Sequence, residues 1–447
     1  MQQANKNIEN GHIQSDSRQH IVIFTSMNTL IALLFVLGYA SIVLEHPLRI
    51  NKAATALLTG VLCWSVFALM QSEQVSEPLF HHLAEISSIL FFLLGAMVVV
   101  ELIDLHDGFV VLTDIINTRS LKKLVVLIAI LTFFLSAVLD NLTTTIVMVS
   151  LVRKLIPEKK DRLLFVGLIV ISANAGGAWS PIGDVTTTML WMGNQVTTLN
   201  IIFKTFIPSL VSCLIPVLLI RSQVKGEAER LVTTEELRTT PMERKVVFFL
   251  GLACLLFVPV FKMVTHLPPY MGILFGLGLM WVVTELMHRE KHEEEKGILS
   301  VNHAIRKIDT PGILFFLGIL LSVAALESTG ILKSLSTALD STIGSISIIS
   351  LITGLLSAIV DNVPLVAAAQ GMYGLETYPT DHFFWEFLAY CAGTGGSILI
   401  IGSAAGVAAM GIEKISFFDY LKRIGWIALI GYFAGAVVFL LQQRLFH

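Results

Sequence analysis

Two long apolar runs of this chain are interrupted by the same short sequence. The hexapeptide at residues 136–141, Ser-Ala-Val-Leu-Asp-Asn, reappears at residues 357–362 as Ser-Ala-Ile-Val-Asp-Asn. In both runs no other charged residue lies within ten positions of the aspartate. A carboxylate in the middle of a membrane segment costs a few kcal/mol at least, so its presence indicates a function by default. The two halves of the chain therefore follow one plan, with an acidic break inside hydrocarbon.

A glycine-rich break is repeated as well. Helix-breaking residues follow Asn174 in the first half and recur with matching spacing in the second: Gly176, Gly177, Pro181 and Gly183, then Gly395, Gly396 and Gly402. They open the hydrogen-bond ladder of a helix in mid-membrane, which is tolerated only where protein or water satisfies the backbone. Two halves that each combine a buried carboxylate with a broken helix are typical of a secondary transporter.

The composition supports a membrane location. Of the 447 residues, 55% are hydrophobic and 14% charged, whereas a soluble domain carries about 25% charged residues. Apolar segments of about 20 residues recur along the whole chain, which predicts an all-α polytopic membrane protein. Full spans are predicted at residues 21–44, 53–71, 86–103, 163–193, 203–220, 245–262, 270–287, 311–328, 385–411 and 424–443.

The segments 122–156 and 343–373 carry the Asp-Asn breaks, and each is either one tilted span or a re-entrant helical hairpin. Basic residues flank the first segment on both sides, while the second has only Lys333 before it. The positive-inside rule therefore predicts hairpins that enter from opposite sides of the membrane. With this topology 24 of the 30 Lys and Arg residues are cytoplasmic and both termini are outside.

Each half then has five spans and one hairpin, and an odd number of spans inverts the second half relative to the first. The predicted organisation is a polar N-terminal tail (1–20), a first inverted repeat (21–220), a linker (221–244) and a second inverted repeat (245–447). The tail lacks the apolar core of a cleavable signal peptide.

Asp140 and Asp361 are the predicted coupling carboxylates, each able to bind a cation or a proton. Both also suit the N-cap of the helix that follows, because Asp and Asn are favoured at that position. Capping alone is met by Asn, Ser or Thr without burying a charge, which favours a functional role. Asp184, directly after the first glycine-rich break, is the third acidic candidate, although capping explains it more easily.

Amide and hydroxyl oxygens near the breaks can complete a shell for a small hard cation. The predicted ligands are Asn141, Thr143, Thr144, Asn174, Thr187, Asn362 and Ser397. Other polar residues receive plainer interpretations. Glu101, Asp104 and Asp107 are expected to be solvated at the membrane interface. His288 is expected to lie on a solvated helix end rather than to bind a metal with His292, and the four cysteines are expected to be buried free thiols.

At these residues the chain resembles the NhaD-type sodium/proton antiporters of the ion transporter superfamily. The resemblance rests on residues 136–145, 172–187 and 357–364, of which the second stretch is the most specific. It implies a homodimer in which a hairpin-bearing transport domain slides against a scaffold, as in elevator-type transporters. The scaffold is expected at residues 21–106 and 245–330, and the transport domain at 120–220 and 335–443.

The predicted function is electrogenic exchange of cytoplasmic Na⁺, and also Li⁺, for external H⁺, with Na⁺ held at the cation site above. The transported ions and the membrane lipids are the expected partners, with no cofactor and no nucleic acid, in a bacterial inner membrane. Two rivals remain: a sodium-coupled dicarboxylate or citrate symporter, and an exporter of an oxyanion such as arsenite. The sequence carries no P-loop, nucleophile elbow or dinucleotide fingerprint, which argues against an enzyme.

Overall fold

The computed structural model describes residues 28–70, 75–113, 116, 118–228 and 238–446, and this part of the chain is helical apart from an isolated bridge between Ser120 and Glu227. Eight described helices are long and apolar enough to cross a membrane, or nine if one bent pair is counted as a span. Large apolar side chains such as Leu69, Phe203 and Leu218 are exposed along them. Such a surface suits contact with lipid, and the chain is an integral membrane protein.

The helices before residue 229 are α1 (Asn28–Val43), α2 (Glu45–Leu48), α3 (Lys52–Met70), α4 (Ser76–Leu105), α5 (Val110–Thr113), α6 (Leu121–Leu139), α7 (Asn141–Leu155), α8 (Lys159–Gly177), α9 (Val185–Met192) and α10 (Thr198–Gln223). Those after residue 237 are α11 (Pro241–Thr265), α12 (Pro269–Met287), α13 (Glu293–Ile298), α14 (Val301–Lys307), α15 (Thr310–Ser328), α16 (Ile331–Thr342), α17 (Ile346–Leu356), α18 (Asn362–Met372), α19 (Phe383–Gly395), α20 (Ala404–Glu413), α21 (Phe417–Tyr420) and α22 (Trp426–Phe446), with a π-helical turn at Leu421–Gly425.

The described helices form two compact units. One comprises the described residues up to Ser87 together with residues 310–338, and the other comprises the rest of the described chain. In the smaller unit α3 packs closely against α15. A Cβ atom on Gly318 would lie 2.4 Å from the backbone of Ala56, and the Trp64 indole donates to the carbonyl of Leu321 at 2.8 Å. Small residues thus let the two backbones approach, as is common between membrane helices.

In the larger unit two sets of helices pack in corresponding ways. Helix α8 packs against α6 and α7, and α19 packs against α17. The short helices then cross between the two halves of the sequence, because α7 packs against α20 and α18 against α9. Helices α10 and α22 also pack on each other. The segments that carry the repeated motifs therefore share one core.

The predicted interruptions are confirmed at all four places. The segment 122–156 breaks at Asp140, the span 163–193 between Gly177 and Val185, and the span 385–411 between Gly395 and Ala404. The segment 343–373 breaks between Leu356 and Asn362. A second bend, of 117°, separates α17 from α16 at the start of this segment. Seven of the ten predicted spans are among the eight candidate helices, and the eighth is α6. The spans 163–193 and 385–411 are absent because they are interrupted, and the span 21–44 is represented by the shorter helix α1.

Some predictions stay open. The polar tail (1–20) and residues 229–237 of the linker lie outside the described residues. The inversion of the second repeat, the orientation of the termini and the division into scaffold and transport domains remain predictions. The four cysteines are buried and free, as predicted.

Candidate functional site

The first Asp-Asn tip is a tight break between two helices. Asp140 ends α6 with φ 91° and ψ 161°, a backbone conformation that residues other than glycine rarely adopt. Its carboxylate caps α7, because Oδ1 accepts from the backbone N–H of Thr143 and Oδ2 from the Thr143 hydroxyl, both at 2.8 Å. The second tip is capped more simply. The Oδ1 atom of Asp361 accepts from the backbone N–H of Val363 at 3.2 Å.

The glycine-rich breaks are capped at corresponding positions. Asp184 is the N-cap of α9, and its Oδ1 accepts from the backbone N–H of Thr186 at 2.9 Å and from the Thr186 hydroxyl at 2.7 Å. Ser403 occupies the equivalent place before α20 and accepts from the backbone N–H of Gly406 at 3.2 Å. The carboxylate in one half thus corresponds to a hydroxyl in the other.

Glycine is needed where the helices before the two Asp-Asn tips touch the broken helices. A Cβ on Gly176 would lie 2.2 Å from the carbonyl oxygen of Phe133, and one on Gly395 only 2.0 Å from that of Gly354. Gly183 and Gly402 make similar approaches to the residues before each tip. A side chain at these places would push the tip away from the break, so the glycines position the site.

A serine in each half fixes the same contact. The hydroxyl of Ser136 donates to the carbonyl of Ala173 at 2.6 Å, and that of Ser357 donates to the carbonyl of Ala392 at 2.8 Å. Both bonds are buried, and both join the segment before an Asp-Asn tip to the broken helix beside it. The repeat seen in the sequence therefore extends to individual hydrogen bonds.

Asp184 is the point at which the two tips meet. The side-chain amide of Asn141 donates to Asp184 Oδ2 at 2.6 Å, and that of Asn362 lies 3.4 Å from both carboxylate oxygens. Asn141 also donates to Asn174 Oδ1 at 3.0 Å, and Asn174 donates to the hydroxyl of Ser403 at 2.9 Å. Every member of this cluster is less than 10% exposed. We call these five residues the Asp184 cluster.

Within the described part of the chain, Asp184 forms no ion pair with a basic side chain. A buried carboxylate is costly unless a cation, a proton or several donors compensate it. Here the compensation comes from two tip amides and the cap of α9. The carboxylates of Asp140 and Asp361 also lie within electrostatic range of Asp184. Such an acidic, oxygen-rich cluster suits a small hard cation or protons.

The remaining predicted ligands do not contact the Asp184 carboxylate. Thr143 bonds to Asp140, and the hydroxyl of Thr187 donates to the backbone oxygen of Asp184 at 2.9 Å. Ser397 donates to the carbonyl of Thr394 at 2.6 Å. The hydroxyl of Thr144 is fully buried and has no hydrogen-bond partner in the described residues, which leaves it available to a ligand.

Two buried polar side chains were not among the predicted site residues. Ser403 belongs to the Asp184 cluster, and it could have been found because it stands at the position of Asp184 in the second repeat. Glu386 lies 1% exposed in α19 and accepts a hydrogen bond from the side-chain amide of Asn200. Glu386 could also have been predicted to be buried, because it lies inside the predicted span 385–411.

The expectation of a solvated His288 is wrong. His288 is 2% exposed because its ring stacks on that of His106, with 2.8 Å between the two Nε2 atoms. His106 Nδ1 lies 2.7 Å from the carbonyl of Leu102 and must donate there, so that its Nε2 accepts from His288. The unprotonated Nδ1 of His288 faces Glu243 Oε1 at 3.6 Å. Burial lowers the pKa of His106 and lowers that of His288 to about 4.

Comparison with known proteins gives concordant matches. A family model described as a citrate transporter (CitMHS) matches residues 32–385, which include both Asp-Asn tips and the first glycine-rich break. Sodium/proton antiporter 1 of Arabidopsis thaliana is 48% identical over 95% of this chain and 74% of its own length. The Na⁺/H⁺ antiporter NhaD of Alkalimonas amylolytica is 30% identical over 93% and 90% of the two chains. NhaD of Vibrio cholerae is 30% identical over 92% and 91%.

Proposed function

Because the chain belongs to the citrate transporter family (CitMHS) and, within it, to the NhaD-type sodium/proton antiporters, we propose that it exchanges Na⁺ for H⁺ across its membrane. One observation carries the proposal from the structural side. The asparagines of both tips converge on a single buried carboxylate, Asp184. The antiporter names of the relatives supply the identity of the ions.

The mechanism follows from the cost of a bare buried carboxylate. The Asp184 cluster cannot cross the membrane cheaply with an uncompensated negative charge. A proton neutralises the carboxylate directly. Sodium needs oxygen ligands, and the amides of Asn141 and Asn362 present oxygen instead of nitrogen when they rotate by half a turn. Sodium and protons therefore compete for one cluster, so that the site moves loaded with one or the other.

Asp140 and Asp361 remain the proposed coupling carboxylates beside Asp184. Additional acidic groups allow more protons than sodium ions to be carried in one cycle. Moving one charge through the membrane potential is worth about 2.3 kcal/mol per 100 mV, so such a stoichiometry lets the potential drive export of cytoplasmic Na⁺. Lithium is a smaller hard cation with the same preference for oxygen and is expected to be carried too.

The alternating access proposed here is of the elevator type, with the hairpin-bearing segments 120–220 and 335–443 moving against the scaffold in a homodimer. The crossing contacts of α7 with α20 and of α18 with α9 support a single moving body that holds both tips. We propose a plasma-membrane location with both termini outside.

A sodium-coupled citrate or dicarboxylate symporter is the second candidate, because the matching family model is described as a citrate transporter. An organic anion needs positive charge or helix N-termini at the binding site. The N-termini of α7, α9, α18 and α20 do meet at the Asp184 cluster, but the Asp184 carboxylate already accepts their donors, and no described Lys or Arg pairs with it. The same argument disfavours an exporter of an oxyanion such as arsenite. Uptake of labelled citrate or succinate that depends on sodium would favour the symporter.

The test of exchange uses everted membrane vesicles from an antiporter-deficient strain that expresses the chain. The vesicles are acidified by respiration and loaded with a pH-sensitive dye whose fluorescence is quenched. Addition of NaCl at alkaline pH is expected to restore fluorescence, and choline chloride is not. Vesicles that respond equally to both salts, or to neither, would reject the proposal.

A further inference from the structure

A cavity of about 440 Å³ lies in the larger unit between α4 and α7. One wall is the face of α7 that carries Thr143, Ser150 and Lys154, and the opposite wall includes Glu101 and Asp104 of α4. Its outer end is formed by residues 307–309, in a loop that the distribution of basic residues predicts to be cytoplasmic.

The inner end of the cavity reaches the first Asp-Asn tip. Leu142 and Thr143, two and three positions after Asp140, line it there. Thr143 lies between the cavity and the Asp140 carboxylate, because its N–H and its hydroxyl both donate to that carboxylate at 2.8 Å. A small ion in the cavity is therefore one side chain away from a predicted coupling residue.

The lining has an excess of negative charge. Its acidic residues are Glu101, Asp104, Asp107 and Asp309, and its basic residues are Lys154 and Lys307. Lys307 lies 3.6 Å from Glu101 and offsets part of that charge. A negatively charged cleft with low-dielectric walls raises the local concentration of cations. The position of the cavity, ending at Thr143, gives this charge a role that solvation at the membrane interface does not explain.

We propose that this cavity is the aqueous path by which Na⁺ and H⁺ reach the first tip, with Thr143 as the last contact before Asp140. Glu101 then raises the apparent affinity for Na⁺, and Lys307 lowers it. This inference rests on the proposed exchange function and adds the path and the residues that tune its affinity.

The first experiment probes the path by thiol labelling. Ser150→Cys is introduced into a chain whose four native cysteines are replaced by alanine, and everted vesicles expose its predicted cytoplasmic side. A cationic, membrane-impermeant methanethiosulfonate reagent is expected to label Ser150→Cys and to block exchange. The control is Ser222→Cys, an exposed position at the end of α10 outside the cavity, where labelling is expected to leave exchange unchanged.

The second experiment measures the KM for Na⁺ at constant ionic strength. Glu101→Gln is expected to raise KM roughly threefold and Lys307→Gln to lower it by a similar factor, the size expected for one unit charge at several ångströms in water. The exposed Glu290 serves as the control, and Glu290→Gln is expected to leave KM unchanged. Opposite shifts at two positions are not expected from simple loss of structure.

The outcomes separate the two claims. If the parent chain exchanges Na⁺ for H⁺ but Ser150→Cys is not labelled, or is labelled without loss of exchange, the proposed path is wrong. Shifts of KM in the same direction for both charge variants would also overturn it. If the parent chain does not exchange, the proposed function fails. Labelling of Ser150→Cys still tests whether water fills the cavity, and failure to label then rejects the path as well.

Discussion

The side-chain amide of Asn141 donates a hydrogen bond to the carboxylate of Asp184, with 2.6 Å between Nδ2 and Oδ2. Asn362 reaches the same carboxylate from the other half of the sequence over longer distances of 3.4 Å. The two tips therefore share one acidic group but hold it unequally. This asymmetry, in a site built from repeated motifs, leads to the first prediction.

Asn141→Ala is expected to weaken Na⁺ exchange more than Asn362→Ala. The variant lacks the amide oxygen that Asn141 is proposed to turn toward Na⁺. A contact as strong as a charge-assisted hydrogen bond, about 1.5–3 kcal/mol, corresponds to roughly a ten- to hundredfold rise in the KM for Na⁺. The longer contact of Asn362 is expected to have a smaller effect. Initial rates in everted vesicles measure both, and Asn302→Ala in the exposed part of α14 is the control. Equal effects of the two tip variants would contradict this ranking.

Asp140→Asn separates the coupling role of this residue from its capping role. Asparagine has the same shape as aspartate and is equally favoured at a helix N-cap, so the variant is expected to fold normally and to lose exchange. Asp140→Ala loses the cap as well and is expected to be less stable by about 1 kcal/mol or more. Exchange assays combined with thermal unfolding in detergent distinguish the two effects. A fully active Asp140→Asn protein would remove Asp140 from the coupling role.

Gly395→Ala is expected to destabilise the protein strongly. The new Cβ would lie 2.0 Å from the carbonyl oxygen of Gly354, and relief requires α17 and α19 to move apart. Overpacking of this kind costs about 1–3 kcal/mol, and more where backbone is the obstacle. Gly278→Ala is the matched control, because a Cβ at this position of α12 would meet no atom within 4 Å. If Gly395→Ala and Gly278→Ala have the same melting temperature, the contact between Gly395 and Gly354 is not tight.

The buried histidine pair predicts an acid-sensitive stability. The pKa of His288 is lowered from 6.5 to about 4 by burial, so the folded protein holds it neutral. The neutral, buried His288 contributes fully to the free energy of unfolding above pH 6.5. This contribution is lost as the pH falls from 6.5 to about 4, by about 1.4 kcal/mol per pH unit. Glu243 and Lys291 face the pair with opposite charges.

His288→Gln is expected to lose less thermal stability than the native protein when the pH is lowered from 6.5 to about 4. His292→Gln, at an exposed position, is expected to behave like the native protein. Unfolding of the purified protein in detergent, followed by size-exclusion chromatography after heating, measures the effect. Parallel pH curves for the native protein and His288→Gln would show that the pair is not the source of acid sensitivity.

The helix breaks were predictable because they depend on local chemistry. Asp and Asn are favoured at helix N-caps, and clustered Gly and Pro are unfavourable in a helix interior. The repeated spacing then indicated that Asp140 and Asp361 are equivalent. The cysteines followed from their apolar neighbours alone. In all these cases the deciding information lies within a few residues along the chain.

The contacts within the Asp184 cluster were not predictable in the same way. Asn362 and Asp184 are 178 positions apart, and only the packing of α18 against α9 brings them together. Capping of α9 by Asp184 is correct but is only part of its role, because Oδ2 is directed to the tips. His106 and His288 are separated by 182 positions, and no local pattern relates them. Contacts of this range are decided by tertiary structure.

The most direct test of the account is equilibrium binding of ²²Na⁺ to the purified protein over a range of pH, for the native chain and for Asp184→Asn. If Na⁺ and protons compete for the Asp184 cluster, protons displace Na⁺ from the native protein as pH falls, and Asp184→Asn binds little Na⁺ at any pH. Sodium binding that does not change with pH, or that persists at full strength in Asp184→Asn, would contradict it.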